Sequence, residues 1–291
     1  SDIGLYLQGV NADKRFDVEI DEIDACPVQI QGPKAIALMK DLVGDQVDLD
    51  NIPFYGLAEV TVGGRSCVIS QTGFSGESGY EIYLRNATLY ADDMWDAVLE
   101  AGKKHNLMVI APAHHRRIQA GILSWGQDLD HEHNPFQCNL GYQVSLSGKG
   151  EWEKKGDYIG KQALEKMKAD LKDGHKPYKL QLVGFEIGGK PIDEYAPDFW
   201  LVSPGDGGDP CGFITSPWYH PEKGKNIAMG YIPFDGTLNP NGFPKWELGK
   251  KFKVHLPDIY ADEPGVPVDA VTVDVPFTES FNANTREVVK G

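Results

Sequence analysis

Apolar and polar positions in residues 1–148 follow two different periods along the chain. In some segments the apolar residues recur every three or four positions, as on one face of a helix. In others they alternate with polar residues, as in a half-buried strand. The pattern predicts helices at 33–42 and 91–105 and strands at 58–62, 66–70 and 81–84. A mixture of this kind is typical of an α+β region.

The pattern changes after residue 148. Residues 149–179 are rich in Lys and Asp, with one helical pattern at 161–172 and a turn-prone stretch at 173–177, and we interpret them as a linker. From residue 180 onward, short apolar runs are separated by Gly and Pro, a spacing typical of a small β-barrel or sandwich. The predicted division of the chain is therefore 1–148, 149–179 and 180–291.

Acidic residues outnumber basic ones by 43 to 28, which gives a formal charge of −15. This charge repels phosphate backbones and anionic headgroups, so we expect neither nucleic acid nor a membrane surface as a partner. No apolar run approaches the roughly 20 residues that span a bilayer, and no signal peptide opens the chain. We expect a soluble, cytoplasmic protein. Because the chain begins without Met in an amphipathic stretch, we also expect an upstream segment to be missing.

Common catalytic and metal-binding motifs are incomplete in this sequence. In residues 73–77, Glu77 replaces the second glycine of a serine-hydrolase nucleophile elbow. His131 and His133, in a polar loop with two nearby aspartates, match no common zinc spacing, so we interpret the loop as solvated. Residues 114–117 (HHRR) could hold an anion, but exposed charges near a helix N-terminus are the commoner explanation. We therefore expect no metal site.

The most specific segment is a glycine-rich turn followed by a predicted strand. In that strand Glu81 and Tyr83 fall on one face, while Tyr80, Ile82 and Leu84 fall on the other. An ionised carboxylate beside an aromatic ring can accept adjacent N–H groups of a flat heterocycle such as a pterin. On composition alone, an exposed Glu81 in an alternating strand is the preferred interpretation.

Residues 73–82 (GFSGESGYEI) resemble the Gly-Tyr-Thr-Gly-Glu-x-Gly-Tyr-Glu-Ile signature of the glycine-cleavage T-protein family, which comprises tetrahydrofolate-dependent aminomethyl and methyl transferases. Six further matches follow the family order, at 31–35, 117–130, 134–142, 157–161, 182–185 and 227–231. The resemblance covers nearly the whole chain. It implies an α+β fold of three small domains around a central folate cavity, with a β-barrel as the last domain.

The resemblance also implies roles for individual residues. Glu81 matches the family glutamate that hydrogen-bonds the pterin of tetrahydrofolate, and Tyr83 and Phe74 match aromatic residues of the cavity. Trp125 and Tyr219 are further candidates to reach the cofactor. The family's N-terminal segment supplies an Asp close to the reacting folate nitrogens, and that segment has no counterpart here. No catalytic residue is therefore assigned.

One departure from the family pattern bears on the reaction. T-proteins carry Gly-Ala-Arg-Asp before the helix that matches 117–121, and Ala113 stands where that Arg contacts folate. Residues 69–84 and 116–126 instead resemble the dimethylsulfoniopropionate demethylase branch, which moves a methyl group to tetrahydrofolate. That branch has Trp at the position of Phe74, and Phe is a weaker cation–π partner for an onium group. The resemblance thus implies a small methylated donor, and its identity stays open.

Three alternatives remain. One is a piece of a fused flavin-dependent dimethylglycine or sarcosine dehydrogenase, although these residues contain no flavin-binding fingerprint. An aminomethyltransferase of the glycine cleavage system would need a lipoyl carrier protein as its partner, and such carriers are typically acidic, which suits an acidic chain poorly. A folate-binding accessory protein would share the fold without catalysing transfer. Such relatives carry a Lys-Gly-Cys-Tyr-x-Gly-Gln motif near residues 156–161, where this chain has no Cys.

Overall fold

The computed structural model describes residues 3–146 and 157–278. These residues divide into two compact units. The first, which we call the sheet unit, contains residues 3–73 and 77–110. The second, which we call the barrel unit, contains residues 74–76, 111–146 and 157–278.

The sheet unit consists of a four-stranded antiparallel sheet and three α-helices. Its helices are α1 (Ile3–Val10), α2 (Ala35–Val43) and α3 (Ala87–Gly102), and its strands are β1 (Ala25–Gln31), β2 (Leu57–Val62), β3 (Arg65–Ser70) and β4 (Gly79–Arg85). The strand order is β1-β4-β3-β2. Short 3-10 helices lie at Gly44–Gln46, Leu49–Asn51 and Lys103–His105. β2 and β3 are joined by Gly63 and Gly64, which both have positive φ, as a two-residue hairpin turn requires.

The two faces of the sheet have different surroundings. One face packs against α2 and α3 through buried apolar residues, among them Ile30, Leu38, Ile82 and Met94. The opposite face carries Glu81, with Gln29 of β1 and Ser70 of β3 as its cross-strand neighbours. The predicted alternation along β4 is confirmed, since Tyr80, Ile82 and Leu84 are buried whereas Glu81 and Tyr83 are half-buried.

The barrel unit contains α4 (His114–Gln119), a short 3-10 helix (Gly141–Gln143), α5 (Lys161–Lys172) and a closed six-stranded barrel. The barrel strands are β5 (Leu180–Ile187), β6 (Trp200–Pro204), β7 (Gly212–His220), β8 (Lys225–Pro233), β9 (Lys251–Val254) and β10 (Val268–Val273). They pair in the order β10-β5-β8-β7-β6-β9. Their inward side chains form an apolar core that includes Val183, Phe185, Ile214 and Phe252. α4 packs on β7 and β8.

The predicted α+β fold with a β-barrel toward the C-terminus is confirmed. The helix predicted at 161–172 has these bounds, while α3 begins four residues earlier than the predicted 91. It starts earlier because the Asp24 carboxylate accepts hydrogen bonds from the amide and hydroxyl of Thr88, a distant contact that no local period encodes. The predicted boundary at 148 lies outside the described residues. In the described part of the chain, no helix has the length and apolar character needed to cross a membrane.

Candidate functional site

Two half-buried side chains of the sheet unit donate hydrogen bonds to one carboxylate, that of Glu81. The hydroxyl of Thr72, in the segment that follows β3, donates a hydrogen bond to Oε2 of Glu81. The hydroxyl of Tyr83, two residues further along β4, donates to the same oxygen at 3.0 Å. No donor among residues 3–146 and 157–278 contacts the other oxygen, Oε1. The carboxylate is thus fixed through one oxygen, and the other accepts no hydrogen bond from the described residues.

The position of Thr72 is set by β1. The side-chain amide of Gln31 donates to the carbonyl of Thr72 at 3.1 Å and to that of Tyr80 at 3.4 Å, so it joins the turn to β4. A side chain at either of two glycines would displace part of this arrangement. A Cβ on Gly73 would lie 2.2 Å from Oε1 of Gln31, and a Cβ on Gly79 would lie 2.2 Å from the carbonyl oxygen of Ile30. Two glycines of the motif therefore permit the close approach of β1 that holds Thr72.

The Tyr83 hydroxyl remains a donor over the physiological pH range. Burial raises the pKa of Tyr83, and its hydrogen bond to the Glu81 carboxylate and the charge of that group raise the pKa further. A phenol with a pKa above its usual value of about 10 keeps its proton at neutral pH. The hydrogen bond to Glu81 is therefore donated by Tyr83.

A second polar cluster lies in the barrel unit, and its side chains are fully satisfied. Arg117 of α4 and Asp128 are both 0% exposed and are joined by a 2.8 Å ion pair. Asp128 Oδ2 also accepts the Ser124 amide at 2.8 Å, and Oδ1 accepts the hydroxyls of Thr215 at 2.5 Å and Ser216 at 2.6 Å. The guanidinium of Arg117 donates further to the Ile122 carbonyl, Gln127, Ser216 and Nδ1 of His114. All four lone pairs of the carboxylate are used, so this cluster is a structural one.

Comparison with known proteins places the chain in a family. Residues 5–148 match the family described as GCVT N-terminal domain. Over 222 residues the chain is 31% identical to an aminomethyltransferase of Caldanaerobacter subterraneus subsp. tengcongensis, a match that covers 75% of this chain and 54% of that protein. Over 258 residues it is 31% identical to the dimethylsulfoniopropionate demethylase DmdA of Ruegeria pomeroyi, covering 88% and 62%. The chain belongs to the glycine-cleavage T-protein family.

The fold agrees with that of a solved T-protein. The structure of the glycine cleavage system aminomethyltransferase T from Bartonella henselae aligns with a TM-score of 0.66 at 19% identity, covering 94% of this chain and 66% of that one. The chain spans less than two thirds of the length of each of these relatives. The fold of the chain is thus that of a T-protein over the aligned residues.

The structure distributes the residues expected from the T-protein resemblance over both units. Glu81 and Tyr83 lie side by side in the sheet unit, and the Tyr83 hydroxyl donates a hydrogen bond to Glu81, a contact that the resemblance does not imply. The other three, Phe74, Trp125 and Tyr219, belong to the barrel unit. Trp125 is 54% exposed with its ring edge-on to His131, and Tyr219 lies on β7. That these five residues contact the cofactor stays a prediction.

Two sequence-based interpretations of polar residues are wrong. Residues 114–117 were expected to carry exposed charges, and Asp128 is one of the two aspartates of the loop at His131 and His133 that was expected to be solvated. Arg117 and Asp128 are both fully buried. They are buried because each neutralises the other. Helix α4 ends at Gln119, so no continuous helix or strand joins the two residues and no local period predicts the pair.

The polar loop that contains His131 and His133 is held by contacts of His133. His133 Nδ1 lies 2.7 Å from Asp130 Oδ1, and the His133 ring packs against that of Tyr231. Within 3–146 and 157–278, no group of three or more His, Cys, Asp or Glu side chains is arranged to hold a metal ion.

Thr72 is the site residue that sequence reasoning did not assign. Thr72 immediately precedes Gly73 and lies within residues 69–84, and the family resemblance of that segment implies no role for it. Thr72 and Glu81 are nine positions apart, and a turn lies between them. The sequence does contain a signal for this contact. A residue with a hydroxyl group begins a glycine-rich turn, and the strand after that turn carries a glutamate.

Proposed function

We propose that the chain forms part of a tetrahydrofolate-dependent one-carbon transferase that moves a methyl group from a small methylated donor, of the dimethylsulfoniopropionate type, to tetrahydrofolate. The observation that carries this proposal is the state of the Glu81 carboxylate. One oxygen is fixed by Thr72 and Tyr83, and the other has no donor among the described residues. An open carboxylate oxygen fits the N–H groups of a pterin, which are hydrogen-bond donors.

The sequence of α4 and the residue before it favours methyl transfer. Ala113, the residue before α4, stands where T-proteins of the aminomethyl type are expected to carry a folate-contacting Arg. The next residue, His114, accepts a hydrogen bond from Arg117 at Nδ1, and its pKa is lowered by burial and then by the Arg117 charge. A neutral imidazole replaces the expected carboxylate at this position. Both departures support a reaction different from that of ordinary T-proteins.

Methyl transfer from an onium donor needs little help from acids and bases. Its leaving group is neutral, so alignment of donor and acceptor contributes most of the rate enhancement. Tetrahydrofolate supplies the nucleophilic nitrogen that accepts the one-carbon group. The role we propose for Glu81 is to fix the orientation of the pterin, and this role requires no proton transfer by the protein.

Aminomethyl transfer is the second candidate. Its support is that relatives named aminomethyltransferase match the chain at 31% identity over 222 residues, as closely in identity as the demethylase does. The two functions differ in the folate product. A methyl donor gives 5-methyltetrahydrofolate, whereas an aminomethyl-lipoyl carrier gives 5,10-methylenetetrahydrofolate.

The first test is the affinity of the full-length protein for tetrahydrofolate, measured by isothermal titration calorimetry. We expect Glu81→Gln to weaken binding by about 1–3 kcal/mol, because an acceptor is replaced by an amide that presents a donor. Glu100→Gln is the matched control, since Glu100 lies on α3 and makes an exposed pair with Lys103. Equal affinities of Glu81→Gln and the wild type would remove Glu81 from the folate site.

Mass spectrometry of the folate product then separates the candidate reactions. The protein is incubated with tetrahydrofolate and, in turn, a sulfonium donor, a betaine, an aryl methyl ether and an aminomethyl-lipoyl carrier. A 5-methyl product supports the proposal and identifies the donor class. A 5,10-methylene product supports the aminomethyltransferase. Unchanged folate with every donor, in a protein that binds folate, would favour a binding role without catalysis.

A further inference from the structure

Thr72 and Tyr83 act on Glu81 in the same way although they lie on different segments. Thr72 is in the segment between β3 and β4, and Tyr83 is in β4 itself, yet both hydroxyls donate to Oε2. A carboxylate oxygen has two lone pairs in the plane of the group, and two donors occupy both of them. Oε1 keeps its two lone pairs, so the two donors decide which oxygen is available.

Both donors are themselves held in place. Gln31 fixes the backbone of Thr72 to β1, as described above. Tyr83 is fixed by its strand, where it pairs with Pro27 of β1 and Val68 of β3. A side chain held by two anchored donors loses little conformational freedom when a ligand binds, and such preorganisation strengthens binding.

We propose that Thr72 and Tyr83 are positioning residues that fix the Glu81 carboxylate with Oε1 directed to the ligand, and that Tyr83 contributes through its hydroxyl rather than through its ring. This inference rests on the proposed function of Glu81 as the pterin acceptor. It differs from the role expected for Tyr83 by resemblance, in which the aromatic ring forms part of the cavity wall. Neither hydroxyl needs to contact the folate.

The first test separates a hydroxyl role from a ring role. Tyr83→Phe keeps the ring and removes the donor, so we expect tetrahydrofolate to bind about 10-fold more weakly. Tyr80→Phe is the matched control. It makes the same change in the same strand on the opposite face, where the Tyr80 hydroxyl donates to the carbonyl of Leu49. Tyr80→Phe should keep the wild-type affinity even if it lowers the melting temperature.

The second test uses Thr72. Thr72→Val has nearly the same shape but no hydroxyl, and we expect binding to weaken about 10-fold. Thr72→Ser restores a hydroxyl and should bring the affinity back to within about 2-fold of the wild type. A loss of affinity in both variants would mean that the shape of Thr72 matters and not its hydrogen bond, which would overturn its positioning role.

A double-mutant cycle links both residues to Glu81. If Thr72 and Tyr83 act through the carboxylate, Thr72→Val and Tyr83→Phe should each have little further effect when added to Glu81→Gln. Additive losses would mean that the hydroxyls contact the ligand themselves and would overturn the proposal. If Glu81→Gln weakens binding but the two hydroxyl deletions do not, the positioning role fails alone. If Glu81→Gln has no effect, the proposed function of Glu81 fails as well.

Discussion

The carboxylates of Glu81 and Asp128 illustrate two different uses of the same chemical group. Asp128, in the barrel unit, is 0% exposed and accepts hydrogen bonds from Arg117, Ser124, Thr215 and Ser216. Glu81, in the sheet unit, is half-buried and accepts from Thr72 and Tyr83 at a single oxygen. The two groups have the same chemistry, and they differ in how many of their lone pairs accept hydrogen bonds: all four in Asp128, and those of one oxygen in Glu81.

Burial explains why the two carboxylates differ. A fully buried charge is tolerated when a partner neutralises it and its lone pairs are satisfied, since each missing interaction is costly in a medium of low polarity. A half-buried carboxylate can leave one oxygen to water until a ligand replaces that water. We therefore expect substitutions around Asp128 to change the free energy of unfolding, and substitutions around Glu81 to change ligand affinity.

The largest effect is expected from Arg117→Met. Met is about as long as Arg but has no charge, so the substitution leaves Asp128 buried without its cation. This should lower the free energy of unfolding by about 3–5 kcal/mol. Urea unfolding monitored by circular dichroism measures this change. Glu81→Gln, by contrast, keeps a side-chain oxygen that can accept from Thr72 and Tyr83, and should lower the free energy of unfolding by only about 1 kcal/mol.

The control for Arg117→Met is an ion pair at the surface. Arg85 and Glu59 lie 2.7 Å apart with side chains that are 53% and 72% exposed. Arg85→Met should therefore cost no more than about 1 kcal/mol. If Arg117→Met costs no more than Arg85→Met, the buried cluster is not structural and the contrast with Glu81 disappears.

The two clusters also differ in how far the sequence predicts them. Alternation along β4 correctly placed Glu81 and Tyr83 on one face and Tyr80 on the other. That prediction needs only the two-residue period of a strand. The α+β order and the barrel were predictable for the same reason, because strand, helix and turn patterns are local.

The remaining contacts depend on the tertiary structure. Arg117 reaches Ser216 across 99 positions, and Thr72 reaches Glu81 across a turn. No periodicity relates such residues, so their burial and hydrogen bonds cannot be read from spacing. For this reason the sequence indicated which residues could bind a ligand but not how Glu81 is held, and it placed Arg117 and Asp128 at the surface.

A smaller effect is expected from Gly79→Ala, which tests whether β1 supports the Glu81 cluster. The added Cβ would lie 2.2 Å from the carbonyl oxygen of Ile30, so β1 and β4 must separate two residues before Glu81. We expect the free energy of unfolding to fall by about 1–3 kcal/mol and tetrahydrofolate to bind more weakly.

Gly9→Ala is the control for Gly79→Ala, and both variants are measured by urea unfolding and calorimetry. Gly9 lies in α1, and a Cβ there meets no atom within 4 Å. Alanine favours the helical conformation over glycine, so this variant should not be destabilised. If Gly79→Ala matches the wild type in both stability and affinity, the close approach of β1 does not determine the Glu81 site.

The smallest effect is expected at His220. Its side chain is buried, as that of Asp128 is, but like Oε1 of Glu81 its ring nitrogens have no hydrogen-bond partner among the described residues. His220 is 1% exposed. Burial lowers the pKa of His220 below the usual 6.5, and the positive charges of Lys223 and Arg116 lower it further, while Glu222 acts in the opposite direction. His220 is therefore neutral in the folded protein at pH 7.

The sign of the pH dependence follows from this lowered pKa. Below about pH 6.5 the unfolded chain binds a proton at His220 that the folded protein does not, so the stability is complete above that pH and falls as the pH decreases. His114 and His115 also have pKa values lowered by burial and act in the same direction. The contribution of His220 must therefore be isolated by substitution.

His220→Leu removes the titrating group while keeping a buried side chain of similar size. Comparing urea unfolding of this variant with the wild type at pH 8 and pH 5 isolates the His220 term, because His114 and His115 are present in both proteins. We expect the variant to gain about 1 kcal/mol relative to the wild type between the two pH values. A difference that does not change with pH would mean that His220 finds a partner when protonated. In that case a buried polar group without hydrogen bonds would not lower the stability of the barrel unit. Burial alone would then not explain why Asp128 accepts four hydrogen bonds whereas one oxygen of Glu81 accepts none.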